Sequence, residues 1–117
     1  GLPEVELNTI YKSLLEYIEA DKPYLDTDLT IYKMAEALEL PRHHLSQAIN
    51  TKSGKSFYDF INSYRVEEAK RRLKDPGFSN MTIQAIAFDS GFNSKATFNT
   101  AFNKFAGMTP SAYRKLP

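Results

Sequence analysis

The chain contains no cysteine. That excludes a disulfide framework and any thiolate metal site, and it fits a reducing compartment. Histidine is scarce as well: the two present, His43 and His44, are neighbours, and successive residues on a helix point in different directions. With no third histidine and no well-spaced carboxylate cluster beside them, neither a metal nor another cofactor is expected. No apolar run approaches the ~20 residues that span a bilayer, and nothing resembles a signal peptide, so a cytoplasmic domain without membrane contact is expected. Strand signals are lacking. There is also no nucleophile–base pair and no glycine-rich phosphate cradle, which argues against an enzyme.

Net charge is small too, at +1 from 15 basic and 14 acidic side chains, but it is unevenly spread. Residues 1–40 carry nine acidic and three basic side chains, a net −6; residues 41–117 carry twelve basic and five acidic, a net +7. A basic segment of this kind suits a phosphate backbone, although a solvated surface would look similar on charge alone. The 117 residues are 42% hydrophobic and 13% aromatic, enough for one domain or for two very small ones sharing an element.

Helical punctuation dominates the chain. Leu7, Ile10, Tyr11, Leu14, Leu15 and Ile18 follow helical spacing, in a leading helix that ends near Asp21 before Pro23. Thr30 is an N-cap for a second helix, and Leu38–Glu39–Leu40–Pro41 is a turn, with Pro41 suited to the first turn of the helix that follows. That third helix turns Leu45, Ala48 and Ile49 inward and Arg42, His43, Ser46, Gln47 and Asn50 outward. Ser56 to Asp59 resembles a capping box and opens a helix that runs to about Lys74, where Asp75–Pro76–Gly77 stops it.

The pattern of helix, turn and helix then repeats. Ile83, Ile86 and Ala87 form a short apolar stripe, Gly91 ends that helix, and Ser94 caps the next. In this last helix Phe98, Ala101, Phe102 and Phe105 face inward, while Lys95, Ala96, Asn99, Thr100 and Asn103 face outward. Thr30, Ile31, Met34 and Ala35 match Thr82, Ile83, Ile86 and Ala87 at an offset of 52, and Leu45, Ala48, Ile49 and Gly54 match Phe98, Ala101, Phe102 and Gly107 at 53. The one-residue slip falls in the turn, where an insertion is best tolerated. Thr109 and Pro110 open a short closing helix. The expectation is an all-α protein of about seven helices: a leading helix and first helix–turn–helix in 1–55, a linking helix in 56–74, and a second helix–turn–helix with the closing helix in 75–117. Small, polar and basic side chains facing outward from such units suit a major-groove reader.

The run Ile83-x-x-Ile86-Ala87-x-x-x-Gly91-Phe92-x-Ser94-x-x-x-Phe98-x-x-x-Phe102-Asn103-Lys104-x-x-Gly107-x-Thr109-Pro110-x-x-Tyr113-Arg114 resembles the signature of the AraC/XylS family of transcription regulators. The earlier unit and the linking helix with Arg65 and Ala69 follow the same layout, so the resemblance covers nearly the whole chain. It implies a bacterial DNA-binding domain with two helix–turn–helix units on one linking helix, both entering the major groove on one face of double-stranded DNA. A linking helix of nineteen residues would be about 28 Å long at ~1.5 Å per residue, against the ~34 Å between like groove segments.

By position, Arg42, His43, Ser46 and Gln47 are the implied base readers of the first unit and Lys95, Ala96, Asn99 and Thr100 those of the second. Gln and Asn can pair with adenine, Lys and Arg with guanine, and Ala and Thr can touch a thymine methyl. Thr30, Asn50, Ser94, Asn103 and Lys104 are the implied phosphate contacts. For Lys104, Arg114 and Lys115 a solvated face is an equal alternative, and Arg65 reads as half of a buried ion pair. The family layout also implies a sensing or dimerisation region outside these residues, and RNA polymerase as a further partner. The sequence departs from the family in having Asn99–Thr100 where Ser-Arg is common and Glu39 where glycine is common. A helical protein-interaction module with a basic surface is the alternative reading.

Overall fold

The computed structural model describes residues 1–117 and contains seven α-helices and no strand. They are α1 (Glu4–Asp21), α2 (Ile31–Ala37), α3 (Arg42–Ser53), α4 (Phe57–Lys74), α5 (Ile83–Asp89), α6 (Lys95–Ala106) and α7 (Pro110–Lys115). The all-α expectation is met. Two 3-10 turns, Pro23–Leu25 and Pro76–Phe78, occupy stretches that read from the sequence as plain connections. The chain divides into two units: Gly1–Pro23 with Asp28–Ile61, and Tyr24–Thr27 with Asn62–Pro117. The first turn of α4 therefore belongs to the first unit and the rest to the second.

In the first unit α1 buries Leu7, Ile10, Leu14 and Ile18, and both α1 and α2 pack on α3. Leu45, Ala48 and Ile49 of α3 and Met34 of α2 are fully buried. Removing a side chain such as Leu14, which is wholly enclosed, would cost about 2–5 kcal/mol in lost transfer energy and cavity formation. Leu15, placed on the same stripe by its spacing, is instead 37% exposed, because it lies one residue past the face that meets α3.

The second unit is built on Val66, Ala69 and Leu73 of α4, Ile86 and Ala87 of α5, and Phe92, Phe98, Ala101 and Phe102. Its rings form a chain, Phe92–Phe98–Phe102–Tyr113, with centroids 5.2, 5.6 and 5.7 Å apart and tilted or edge-on geometry, the favourable arrangement for aromatic quadrupoles. Arg65 is held by several oxygens within its unit: Nε donates to the Tyr24 carbonyl at 2.7 Å, Nη2 to the Asp26 carbonyl at 2.8 Å and Nη1 to Asn62 Oδ1 at 3.1 Å. Arg114 donates to the carbonyls of Met81 and Phe78 at 2.8 and 2.9 Å, so it closes the 76–82 loop. Arg71 and Arg72 are likewise more than helix surface. Both bind the buried carboxylate of Glu68, each at 2.7 Å. Burial pushes the Glu68 carboxyl upward, yet those hydrogen bonds and the two positive charges outweigh it and hold its pKa below the ordinary glutamate value.

The repeat legible in the sequence is also present in the backbone. α2 and α5 have seven residues each, and α3 and α6 have twelve. Thr30 and Thr82 accept from the N–H three residues on, at 3.2 and 3.0 Å, and Gly54 and Gly107 close α3 and α6 with φ of 73° and 75°. The two turns close alike. Leu40 N–H donates to Ala35 O and Phe92 N–H to Ala87 O, the six-to-one bond that satisfies an orphan helix carbonyl. That closure needs a left-handed residue just before it, which is Gly91 (φ 107°) in one turn and Glu39 (φ 55°) in the other. The turn after α5 is one residue longer, which is the slip seen in the sequence. Pro41 is the N-cap of α3 rather than its first helical residue, since α3 begins at Arg42.

Candidate nucleic-acid interface

Each long helix of a pair buries one side in its own unit, which fixes what the other side can offer. On α3, burial of Leu45, Ala48 and Ile49 leaves Arg42, His43 and Asn50 exposed and Ser46 and Gln47 half-buried. On α6, burial of Phe98, Ala101 and Phe102 leaves Lys95, Ala96, Thr100 and Asn103 exposed and Asn99 half-buried. Both sets fall at positions i, i+1, i+4, i+5 and i+8, a single stripe on an α-helix. Every expected base reader therefore lies on the outer stripe of its helix.

The side chains differ in how they are held. Arg42 places its guanidinium carbon 5.1 Å above the ring of Tyr32. Gln47 accepts a hydrogen bond through Oε1 from the N–H of Leu2, at 3.3 Å. Lys52 Nζ meets Glu4 Oε1 at 3.0 Å, so the N-terminal residues touch α3 at two points. His43 and His44 do not diverge as neighbours on a helix were expected to: their rings meet edge to face at 4.4 Å, and no group of three or more potential metal ligands is gathered anywhere. In the second unit Ser94 Oγ accepts from Thr97 N–H at 3.1 Å and starts α6 cleanly. Asn103 Nδ2 donates to Asn99 O at 2.8 Å, and Lys104 Nζ lies 5.5 Å from the centre of the Phe105 ring. A recess of about 180 Å³ between α5 and the start of α6 is lined by Gln84, Phe88, Asn93, Ser94 and Lys95.

Two residues beside this surface, Lys52 and Tyr32, have no part in the sequence reading of the interface. The available signal was phase: Tyr32 falls beside the Ile31, Met34, Ala35 stripe and not on it.

Two short–long helix pairs, each with capped ends, a left-handed turn residue and an outward polar stripe, define a tandem helix–turn–helix domain. Residues 34–116 match the model of the helix-turn-helix domain family, and the chain belongs to that family, in its AraC/XylS type, a class of DNA-binding transcription regulators. The raffinose operon transcriptional regulatory protein RafR of Pediococcus pentosaceus is 35% identical over 89 residues, which are 76% of this chain and 31% of that protein. An uncharacterized HTH-type transcriptional regulator of Staphylococcus aureus (strain COL) is 33% identical over 99 residues, or 85% of this chain. The chain spans 12% of the length of that regulator. Among solved structures, the C-terminal domain of AraT, a response regulator from Geobacillus stearothermophilus, superposes with a TM-score of 0.74 at 30% identity, covering 91% of this chain and 83% of that one.

Proposed function

We propose that this chain is the sequence-reading domain of a longer bacterial transcription regulator that works in the cytoplasm, with α3 and α6 entering successive major-groove segments on one face of the duplex. The observation that carries the reading is the matched stripe: the same five positions on both helices, all polar or small, none needed for the core. Arg42, His43, Ser46 and Gln47, with Lys95, Ala96, Asn99 and Thr100, would read base edges. The first turns capped by Thr30 and Ser94, with Asn50, Asn103 and Lys104, would meet phosphates and set the register. The half-buried setting of Gln47, its bond from Leu2 and the approach of Gly1 to its amide nitrogen mean that it presents its whole amide to a base only after the N-terminal residues yield.

The remainder of the parent protein would sense a signal or dimerise, and RNA polymerase would be the protein partner at the promoter. Selection of bound duplexes from a random pool tests the reading. Enrichment of two short motifs about one helical turn apart is expected. Failure to enrich any motif, with binding that merely weakens as salt rises, would leave a basic surface for another acidic partner as the better account.

A further inference from the structure

We infer that Tyr32 is a positioning residue for base recognition. By holding the Arg42 guanidinium over its ring, it commits the first helix–turn–helix to a guanine at one position of its half-site. The inference rests on Arg42 being a base reader.

Tyr32 is 65% exposed on α2, so it adds little to the core. Its ring lies under the guanidinium at the first residue of α3, with 5.1 Å from the guanidinium carbon to the ring centroid, within cation–π range. The two interactions use different parts of the same group. Stacking occupies the face of the planar guanidinium, whereas the N–H donors radiate from its edge in the plane. Pairing with O6 and N7 of guanine needs that edge alone. An unsupported arginine would lose the freedom of several torsions when it docks on a base; one already resting on a ring has lost part of it beforehand.

The second unit has no such device. Its counterparts to Tyr32 and Arg42, at the offsets of 52 and 53 that relate the repeats, are Gln84 and Lys95. The half-site read by α3 should thus demand guanine more strictly than the one read by α6.

The experiment measures affinities for the selected site, for that site with each base pair changed in turn, and for random duplex. It uses the wild-type chain, Tyr32→Ala, Tyr32→Phe, Arg42→Ala and the double variant Tyr32→Ala/Arg42→Ala. Tyr32→Ala is expected to lose about 2- to 5-fold on the selected site, less than 2-fold on random duplex, and nothing further once Arg42 is already alanine. Tyr32→Phe keeps the ring and should keep wild-type preference. Equal losses from Tyr32→Ala with and without Arg42 would overturn the inference. So would a loss shared by Tyr32→Phe and by random duplex, which would mark the tyrosine hydroxyl as a phosphate contact. If Arg42→Ala itself leaves base preference untouched, the failure lies with the reading of Arg42. If Arg42→Ala shifts the preference and Tyr32→Ala does not, only the role of Tyr32 falls. Should Tyr32→Ala unfold at a lower temperature, Tyr32→Gln, the residue of the sister repeat, serves as the ringless variant, with the same two outcomes.

Discussion

Gly91 and Glu39 hold equivalent places in the two turns, and substitutions there should act in opposite directions. A Cβ added at Gly91 would lie 2.0 Å from the Tyr24 carbonyl oxygen and 2.7 Å from Arg65 Nε, at a φ of 107° that side chains rarely adopt. Left-handed backbone costs a residue with a side chain roughly 1–2 kcal/mol. The clash must then be relieved by moving the backbone of residue 24 and with it the 2.7 Å bond from Arg65, and a hydrogen bond to a charged group is worth about 1.5–3 kcal/mol. Gly91→Ala should therefore destabilise the chain by about 3–5 kcal/mol. Glu39→Gly should do the reverse. Glu39 is exposed at φ 55°, so relief of its backbone strain outweighs the extra freedom glycine has when unfolded, for a net gain of about 0.5–1 kcal/mol. Urea unfolding followed by circular dichroism measures both. A loss below about 1 kcal/mol for Gly91→Ala would show that the close approach of residues 24 and 91 is soft, and a destabilised Glu39→Gly would refute the strain argument.

Three further outcomes are expected. Glu68 has a lowered folded pKa, so its contribution is present above the unfolded glutamate value of about 4.3 and is lost as pH falls through the folded one; Glu68→Gln should flatten the fall in stability between about pH 5 and 3, and parallel curves for the two proteins would deny it. Asn99→Ala or Gln47→Ala should relax preference at one or two base pairs, at about 1–3 kcal/mol on the selected site, and an equal loss on random duplex would remove the residue from the list of readers. The logarithm of affinity should fall against the logarithm of salt with a slope of about 4–5, and Lys104→Ala should shallow it by about one; an unaltered slope rejects a phosphate contact at Lys104.

Local chemistry made most of the fold legible. The caps at Thr30, Ser94 and Thr109 were readable because a side-chain oxygen three residues ahead of an unpaired N–H is a short-range device, and all three form as expected; Thr82, the repeat match of Thr30, caps α5 in the same way. The ends at Gly54 and Gly107 were readable for the same reason. What escaped depends on partners distant in sequence. The carbonyls that accept from Arg65 come from a segment about forty residues earlier, which helical spacing around Arg65 cannot point to. Arg114 read equally as a phosphate contact or a solvated face, and its carbonyl partners in the 76–82 loop lie over thirty residues away. The candidate interface was readable in outline, since helical phase alone separates Arg42, His43 and Asn50 from Leu45, Ala48 and Ile49. Whether a side chain on that stripe is already held is a tertiary property, and so the bond from Leu2 to Gln47 and the ring beneath Arg42 left no mark in the spacing.

That difference changes what the basic half of the chain means. Its twelve lysines and arginines suggested a broad phosphate footprint, yet at least seven are held by hydrogen bonds or ion pairs within the fold. Arg65 and Arg114 cap carbonyls, Arg71 and Arg72 neutralise Glu68, and Lys52 and Lys70 pair with Glu4 and Glu67. Lys74 donates to the carbonyl of Leu116 and sits beside the Tyr113 ring. Releasing a bonded arginine to meet phosphate exchanges one charge-assisted contact for another and strands its former partner, so these groups gain little from DNA. Counterion release should then come mainly from Arg42, Lys55, Lys95 and Lys115, together with Lys104, which also rests against Phe105, so the expected salt slope follows about five cations and not twelve. Of these five, Arg42 and Lys95 open the outer stripes of α3 and α6, so under the proposed reading part of the electrostatic attraction would come from side chains that also face the bases. Affinity and specificity are coupled there, and a substitution at Arg42 or Lys95 should lower both, whereas one at Lys115 should lower affinity alone.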